Sequence, residues 1–440
     1  MPFFFHHLRS MLLWLCLVAP TWGQDVLNGI NIKIDFTPPR EVRQPDNKYF
    51  NAAKAYLDWI LAHRDDAGRF PEKVFMPSME IDGYSSANKN NKAVILACHM
   101  SYILDDPAYY RPVEKILRAD LRGTDNYGFP GWGESGGGGG GGEAKQPAPR
   151  RDMYLLEPLY SEEVSLGYWI QGVGDKLTGN FNRHSGFDRT THFFVNEGGS
   201  RYNHWIHGYQ FTWIEEYLHY IDTLVDLYEN HREDNGWPAA DKSVGLEART
   251  YYLKELVRAL PYIPADHPLR PKIRSHIDRS IPGPISLGVI DQKGLEHKQN
   301  CINAYYDMYW HHLERGQEDL AQTYLDLLLR NADAHLGYRP EATVWPWTVG
   351  LTLRTYVCAW YATGEQRYLD QARVLGDLAL EHYFDLGPLP RANIRRGIND
   401  FYRNDSYVWG DFLVLQLFEL GLALDEGYGR EHKILWTHIR

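Results

Sequence analysis

The sequence predicts an all-α protein closed as an α/α toroid, or barrel, of six or seven helical hairpins. Three observations predict it. Most of the chain carries apolar residues at helical period, the helical stretches come in pairs joined by short polar turns, and strand signals are sparse. One hairpin cannot bury its own apolar stripes, whereas a ring of hairpins buries them together.

In chain order, the periodicity predicts helices over 48–63, 90–104, 107–121, 155–177, 205–231, 244–260, 299–315, 318–335, 347–363, 366–384 and 407–426. The clearest hairpin turn is Thr363-Gly364-Glu365-Gln366, between two long amphipathic runs. Asp105-Asp106-Pro107 joins an earlier pair, and Gly174-Asp175-Lys176-Leu177-Thr178-Gly179 closes another. Trp345-Pro346-Trp347 opens a helix with Pro near its first position, and Asp405 or Ser406 is placed to cap the last one.

The first 23 residues combine a weakly basic start, an apolar run from Met11 to Ala19 and a small-residue end, the pattern of a secretory signal peptide. No Pro/Ser-rich linker divides residues 24–440, which read as a single toroid domain with a Gly-rich loop near 134–150. The apolar run is too short to span a membrane, and the run over 412–424 is broken by Gln416 and Glu419. A secreted or periplasmic protein with no membrane association after signal removal is expected. The formal net charge of −11 argues against a nucleic-acid partner. Cys98, Cys301 and Cys358 lack metal-type spacing, there is no His-Glu-x-x-His, and the neighbours His311 and His312 read as a surface pair on different helix faces. No P-loop and no Gly-x-Ser-x-Gly elbow occurs, so neither a cofactor nor a metal is implied. Aromatic residues make up 14%, with 30 Tyr and 14 Trp, enough amphipathic rings to line a sugar-binding groove as well as a core.

The densest polar cluster is Arg201-Tyr202-Asn203-His204-Trp205-Ile206-His207-Gly208-Tyr209. With Arg183, Arg189, His184 and His192 just before it, the cluster is a local positive focus in an acidic chain, as an anionic substrate requires. These side chains suit removal of a proton next to a carboxylate. That proton is weakly acidic, so amide and guanidinium donors must first stabilise the enolate-like carboxylate. Asn203 with Arg201 or Arg249 are the local donors, and His204 is the base. The acid is a Tyr: Tyr252, one helical turn beyond Arg249, or Tyr305, with Tyr306, Tyr309, Tyr209 and Tyr407 as further choices. Trp205, Tyr202, His207, Trp347, Arg403 and Trp409 are candidate substrate contacts.

Asn203-His204 followed by Trp205 resembles the Asn-Asn-His motif of the toroid polysaccharide lyases that cut alginate and related polyuronates, with Tyr202 where the first Asn stands. The run Trp360-Tyr361-Ala362-Thr363-Gly364-Glu365-Gln366-Arg367-Tyr368-Leu369 likewise resembles the hairpin turns of toroid carbohydrate enzymes. The resemblance implies β-elimination on an anionic polysaccharide of alginate or glucuronan type. In such enzymes Asn neutralises the carboxylate, His takes or relays the proton and Tyr protonates the leaving oxygen. Two alternatives stand beside it. A toroid glycoside hydrolase needs a carboxylate pair, drawn from Glu134, Glu162, Glu163, Asp241, Asp307 or Asp411; a non-catalytic glycan-binding protein would use the aromatic plates alone. A terpene cyclase is disfavoured, since Asp105-Asp106 runs into Pro107-Ala108-Tyr109.

Overall fold

The computed structural model describes residues 44–66, 68–85 and 91–104, scattered positions up to 260, residues 263–280, and 295–425 with short gaps. The proposed signal peptide, the glycine run at 136–142 and the expected helix over 155–177 lie outside the described residues. So does the number of hairpins. The described helices are α1 (Lys48–Ala62), α2 (Asn91–Leu104), α3 (Leu269–Ser280), α4 (Leu295–Glu314), α5 (Glu318–Ala334), α6 (Pro346–Thr363), α7 (Gln366–Tyr383) and α8 (Gly410–Ala423). Leu218, Ile221 and Val225 are helical and buried at the spacing expected within 205–231.

The helices sort into two layers by how they are buried. α1, α5 and α7 bury one stripe each, such as Tyr368, Leu369, Ala372, Leu375, Ala379 and Tyr383 on α7. By contrast, α8 is buried at every residue, and α6 at every residue from Pro346 to Tyr361 except Trp347. A helix with no solvent face belongs to an inner layer. Accordingly α4 packs on α6 and α6 on α8, while α5 and α7 return as the outer partners of α4 and α6. This is the double layer of the predicted α/α arrangement.

The predicted hairpin turn at Gly364 is present. Gly364 adopts the left-handed conformation at φ 76° that ends α6 and donates its N–H to the Trp360 carbonyl at 2.7 Å. Thr363 Oγ1 donates to the Ala359 carbonyl and accepts from the Glu365 N–H, so the turn satisfies its own backbone.

The chain's first and last described helices are neighbours, as ring closure requires. Asn47 caps α1 by accepting from the Phe50 N–H at 3.1 Å, and its amide donates to the Gly421 carbonyl of α8 at 2.8 Å. The crossing depends on Gly421. A Cβ there would sit 2.8 Å from the Phe50 backbone nitrogen, which cannot swing aside. Gly421→Ala is therefore expected to destabilise by about 1–3 kcal/mol despite alanine's better helix propensity, read as a lower urea midpoint at unchanged slope.

Two small antiparallel sheets, not expected from the sequence, reinforce the same seam. β1 (Phe70–Pro71) pairs with β4 (Tyr84–Ser85), and β2 (Lys73–Phe75) lies between β3 (Glu80–Ile81) and β5 (Phe401–Arg403). The β2–β5 register sets Val74 opposite Tyr402, both buried, so residues near each end of the chain share one ladder.

His311 and His312 are not a surface pair. They are 9% and 0% exposed at the end of α4, with ring centroids 5.1 Å apart, and His312 stacks on Tyr324 of α5. Burial, then His312 and Arg315, hold the His311 imidazole neutral, lowering its pKa to about 3, while Asp278 opposes. Since the folded value is depressed from 6.5, the unfolded chain binds the proton first. The stability is complete above pH 6.5 and is lost as pH falls towards 3. Between pH 7 and pH 5 the loss from His311 is about 2 kcal/mol. His311→Gln should flatten that slope in denaturation series at the two pH values; an unchanged slope would assign the acid sensitivity elsewhere.

Candidate active site between the inner helices

The inner helices carry charge where an ordinary core would carry leucine. On α6, Arg354 is 3% exposed and lies one turn before Cys358, with Tyr361 one turn beyond. On α8, Asp411, Gln416 and Glu419 are 1%, 1% and 4% exposed. Burying such groups is costly unless something compensates, so their grouping is informative.

The electrostatics show which of them share a space. Burial pushes the Cys358 thiol up to about 12; Arg354 draws it down, and Glu419 and Asp307 push it further up. The Tyr361 hydroxyl is likewise held far above the usual phenol range, first by burial, then by Glu419 and Cys358. Tyr306 is held up by burial and then by Cys358, with smaller effects from Tyr361 and Asp307. Asp307 on α4, Arg354 on α6 and Glu419 on α8 thus all bear on the Cys358 thiol. Three successive inner helices meet there.

Helix geometry places Glu419 on the interior side of α8. At about 100° per residue, Glu419 and Gln416 lie roughly 60° apart and roughly 150° from Gly421. Gly421 faces Phe50 of α1 on the outside, while Leu413, Leu417 and Leu420 pack into the larger core and Val414, Leu415, Phe418 and Leu422 into the smaller one. Glu419 occupies the arc between the two apolar seams. Trp347, half-buried, lies two turns before Arg354 on the same face of α6 and opens that stripe towards solvent. Asp307 on α4 is half-buried.

Asp411 is elsewhere. It lies in the first turn of α8, where an acid complements the helix dipole, and its charge bears on Tyr56, whose hydroxyl shares a 2.8 Å hydrogen bond with Tyr402. At 1.5 Å per residue it is about 12 Å along the helix from Glu419, too far for those two to flank one bond.

Most of the residues singled out from sequence lie outside the described residues: Arg201, Tyr202, Asn203, His204, Trp205, His207, Tyr209, Arg249, Tyr252, Tyr407 and Trp409, with Glu134, Glu162, Glu163 and Asp241 of the carboxylate set. Tyr305 is fully buried, its ring 6.3 Å from and tilted against Tyr324, and packs the larger core. Arg403 is half-buried on β5, opposite Lys73. The structure brings Trp347 and Asp307 towards the interior cluster and adds Arg354, Cys358, Gln416 and Glu419 to it. Gln416 and Glu419 had a sequence signal: two polar residues three apart in an otherwise apolar helix.

No protein-family model and no curated protein matches the chain. Among solved structures, an inactive variant of an α-1,6-mannanase from Salegentibacter sp. HEL1_6, in complex with α-1,6-mannotetrose, aligns over 85% of this chain and 100% of its own, at 10% identity and TM-score 0.49. The unsaturated glucuronyl hydrolase of Bacillus sp. GL1 aligns over 88% and 99% at 13% identity and TM-score 0.45. A D-mannose isomerase aligns over 86% and 96% at 13% identity and TM-score 0.46. Similarity at this level transfers no residue role.

Proposed function

We propose that the chain is an exported carbohydrate-active enzyme, a glycoside hydrolase whose site lies between the inner helices. One observation carries this reading: Asp307 and Glu419, on separate inner helices, both bear on Cys358 of a third, with Arg354 acting on the same thiol. Glycosidic hydrolysis needs two carboxyl groups flanking the bond, one to protonate the leaving oxygen and one to attack or to activate water. Asp307, half-exposed, meets water; Glu419, 4% exposed, gives the proton to the leaving oxygen. Arg354 offsets the negative charge of the ionised member of the pair. Trp347 offers a flat apolar plate at the entrance for a sugar ring. Export rests on the leader pattern of residues 1–23.

Elimination on a uronate is the second reading, favoured by the Asn203-His204-Trp205 motif. It uses Asn203 and Arg249 on the carboxylate, His204 as base and Tyr252 as acid, since Tyr305 is spent on packing. Purified protein mixed separately with polymannuronate, polyguluronate, glucuronan, polygalacturonate and α-mannan separates the two. Hydrolysis is expected: new reducing ends with flat ultraviolet absorbance. A rise in absorbance from an unsaturated product, lost in His204→Ala, would install the lyase reading instead.

A further inference from the structure

We infer that Gln416 is a substrate-binding residue that takes two adjacent hydroxyls of a neutral sugar face, an inference that rests on the glycan reading of the interior site. Gln416 is 1% exposed, and neither its Nε2 nor its Oε1 finds a hydrogen-bond partner among the described residues. A buried amide left without partners is destabilising, because it has given up its bonds to water and made none in return. Leucine or methionine would fill the same space on this otherwise apolar helix without that cost. The amide is therefore kept for a partner that arrives from outside. Its place fits, because Gln416 lies one turn before Glu419 and on the same side of α8. Its chemistry also selects the partner. A carboxamide presents a donor and an acceptor about one hydroxyl spacing apart, which matches a vicinal diol, whereas a carboxylate could use only the NH₂ end. The charged Glu419 lies one turn beyond that neutral contact, so Gln416 would fix which way the ring sits.

The test is thermal unfolding of the full chain, wild type and Gln416→Met, alone and with mannose-, glucose-, galactose- and glucuronate-based tetrasaccharides. Without sugar, Gln416→Met should melt about 1–3 °C higher, because it removes an unsatisfied amide and little else. With the tetrasaccharide that raises the wild-type midpoint, the variant should need at least tenfold more sugar for the same rise. A variant that melts lower without sugar would show that Gln416 serves an internal bond or a trapped water, and would overturn the inference. So would a variant that responds to sugar as the wild type does, and in that case the glycan reading itself survives. A wild type that none of the four sugars stabilises brings down both.

Discussion

Asp307→Asn and Glu419→Gln are each expected to lower kcat on a responsive glycan by about 10²–10⁴-fold, the usual worth of a positioned acid or base. Both substitutions keep volume and hydrogen-bonding shape, so folding should hold. The double variant should be little worse than either single one, because the two carboxyls act on the same bond and removing one already disables the pair. Asp411→Asn is the control. It lies about 12 Å along α8 from Glu419, by the Tyr56–Tyr402 pair, so its loss should register as lost stability with turnover nearly intact. Steady-state kinetics and thermal unfolding on the wild type and the four variants give the comparison. If Asp307→Asn and Glu419→Gln both turn over at wild-type rates, the interior cluster is not the catalytic pair.

The helical architecture was legible because each long helix carries its own signal. The expected runs over 318–335 and 366–384 appear as Glu318–Ala334 and Gln366–Tyr383, where one apolar stripe per helix leaves little choice of period. α3 was missed for a local reason. Pro268 immediately precedes it and Pro271 sits in its first turn, which reads as a loop; yet that turn has unbonded N–H groups, so Pro costs nothing there. The β2–β5 ladder was invisible because its strands are three residues each and more than three hundred residues apart. His311 and His312 were misread for a different reason: the sequence shows polar side chains but not that α3 and α5 cover them. The interior site was half legible. Asp307 was one acid among several, whereas Glu419 and Gln416 registered only as interruptions of an apolar run. What turns an interruption into a site is the convergence of α4, α6 and α8, a property of packing that no single helix encodes.

Arg391→Ala is expected to cost about 3–5 kcal/mol, the largest stability loss of any change considered, and to carry activity down with it. Arg391 is 1% exposed and joins Asp385, at 3.0 Å, to Asp400, tying the residues just after α7 to those just before β5. Its own N–H donates to the Tyr383 carbonyl at 2.9 Å, and the Asp400 carbonyl accepts from the Met76 N–H at 2.8 Å. One guanidinium thus ties the end of α7 to the chain around β2 and β5. Truncating it strands two carboxylates that are 19% and 27% exposed, and the β5 strand loses its anchor. Arg391→Lys keeps the charge but has no planar fork to reach both acids, so it should recover only part of the loss. Arg391→Met with Asp385→Asn and Asp400→Asn should be more stable than Arg391→Ala, because the penalty comes from unpaired charge rather than from a missing attraction. Urea unfolding of the four proteins decides it: equal midpoints for Arg391→Ala and wild type would mean that the buried guanidinium contributes nothing. Since β5 leads directly towards α8, the rank order of stability should reappear as the rank order of activity at a fixed temperature, with Glu419 and Gln416 displaced whenever the segment before them loosens.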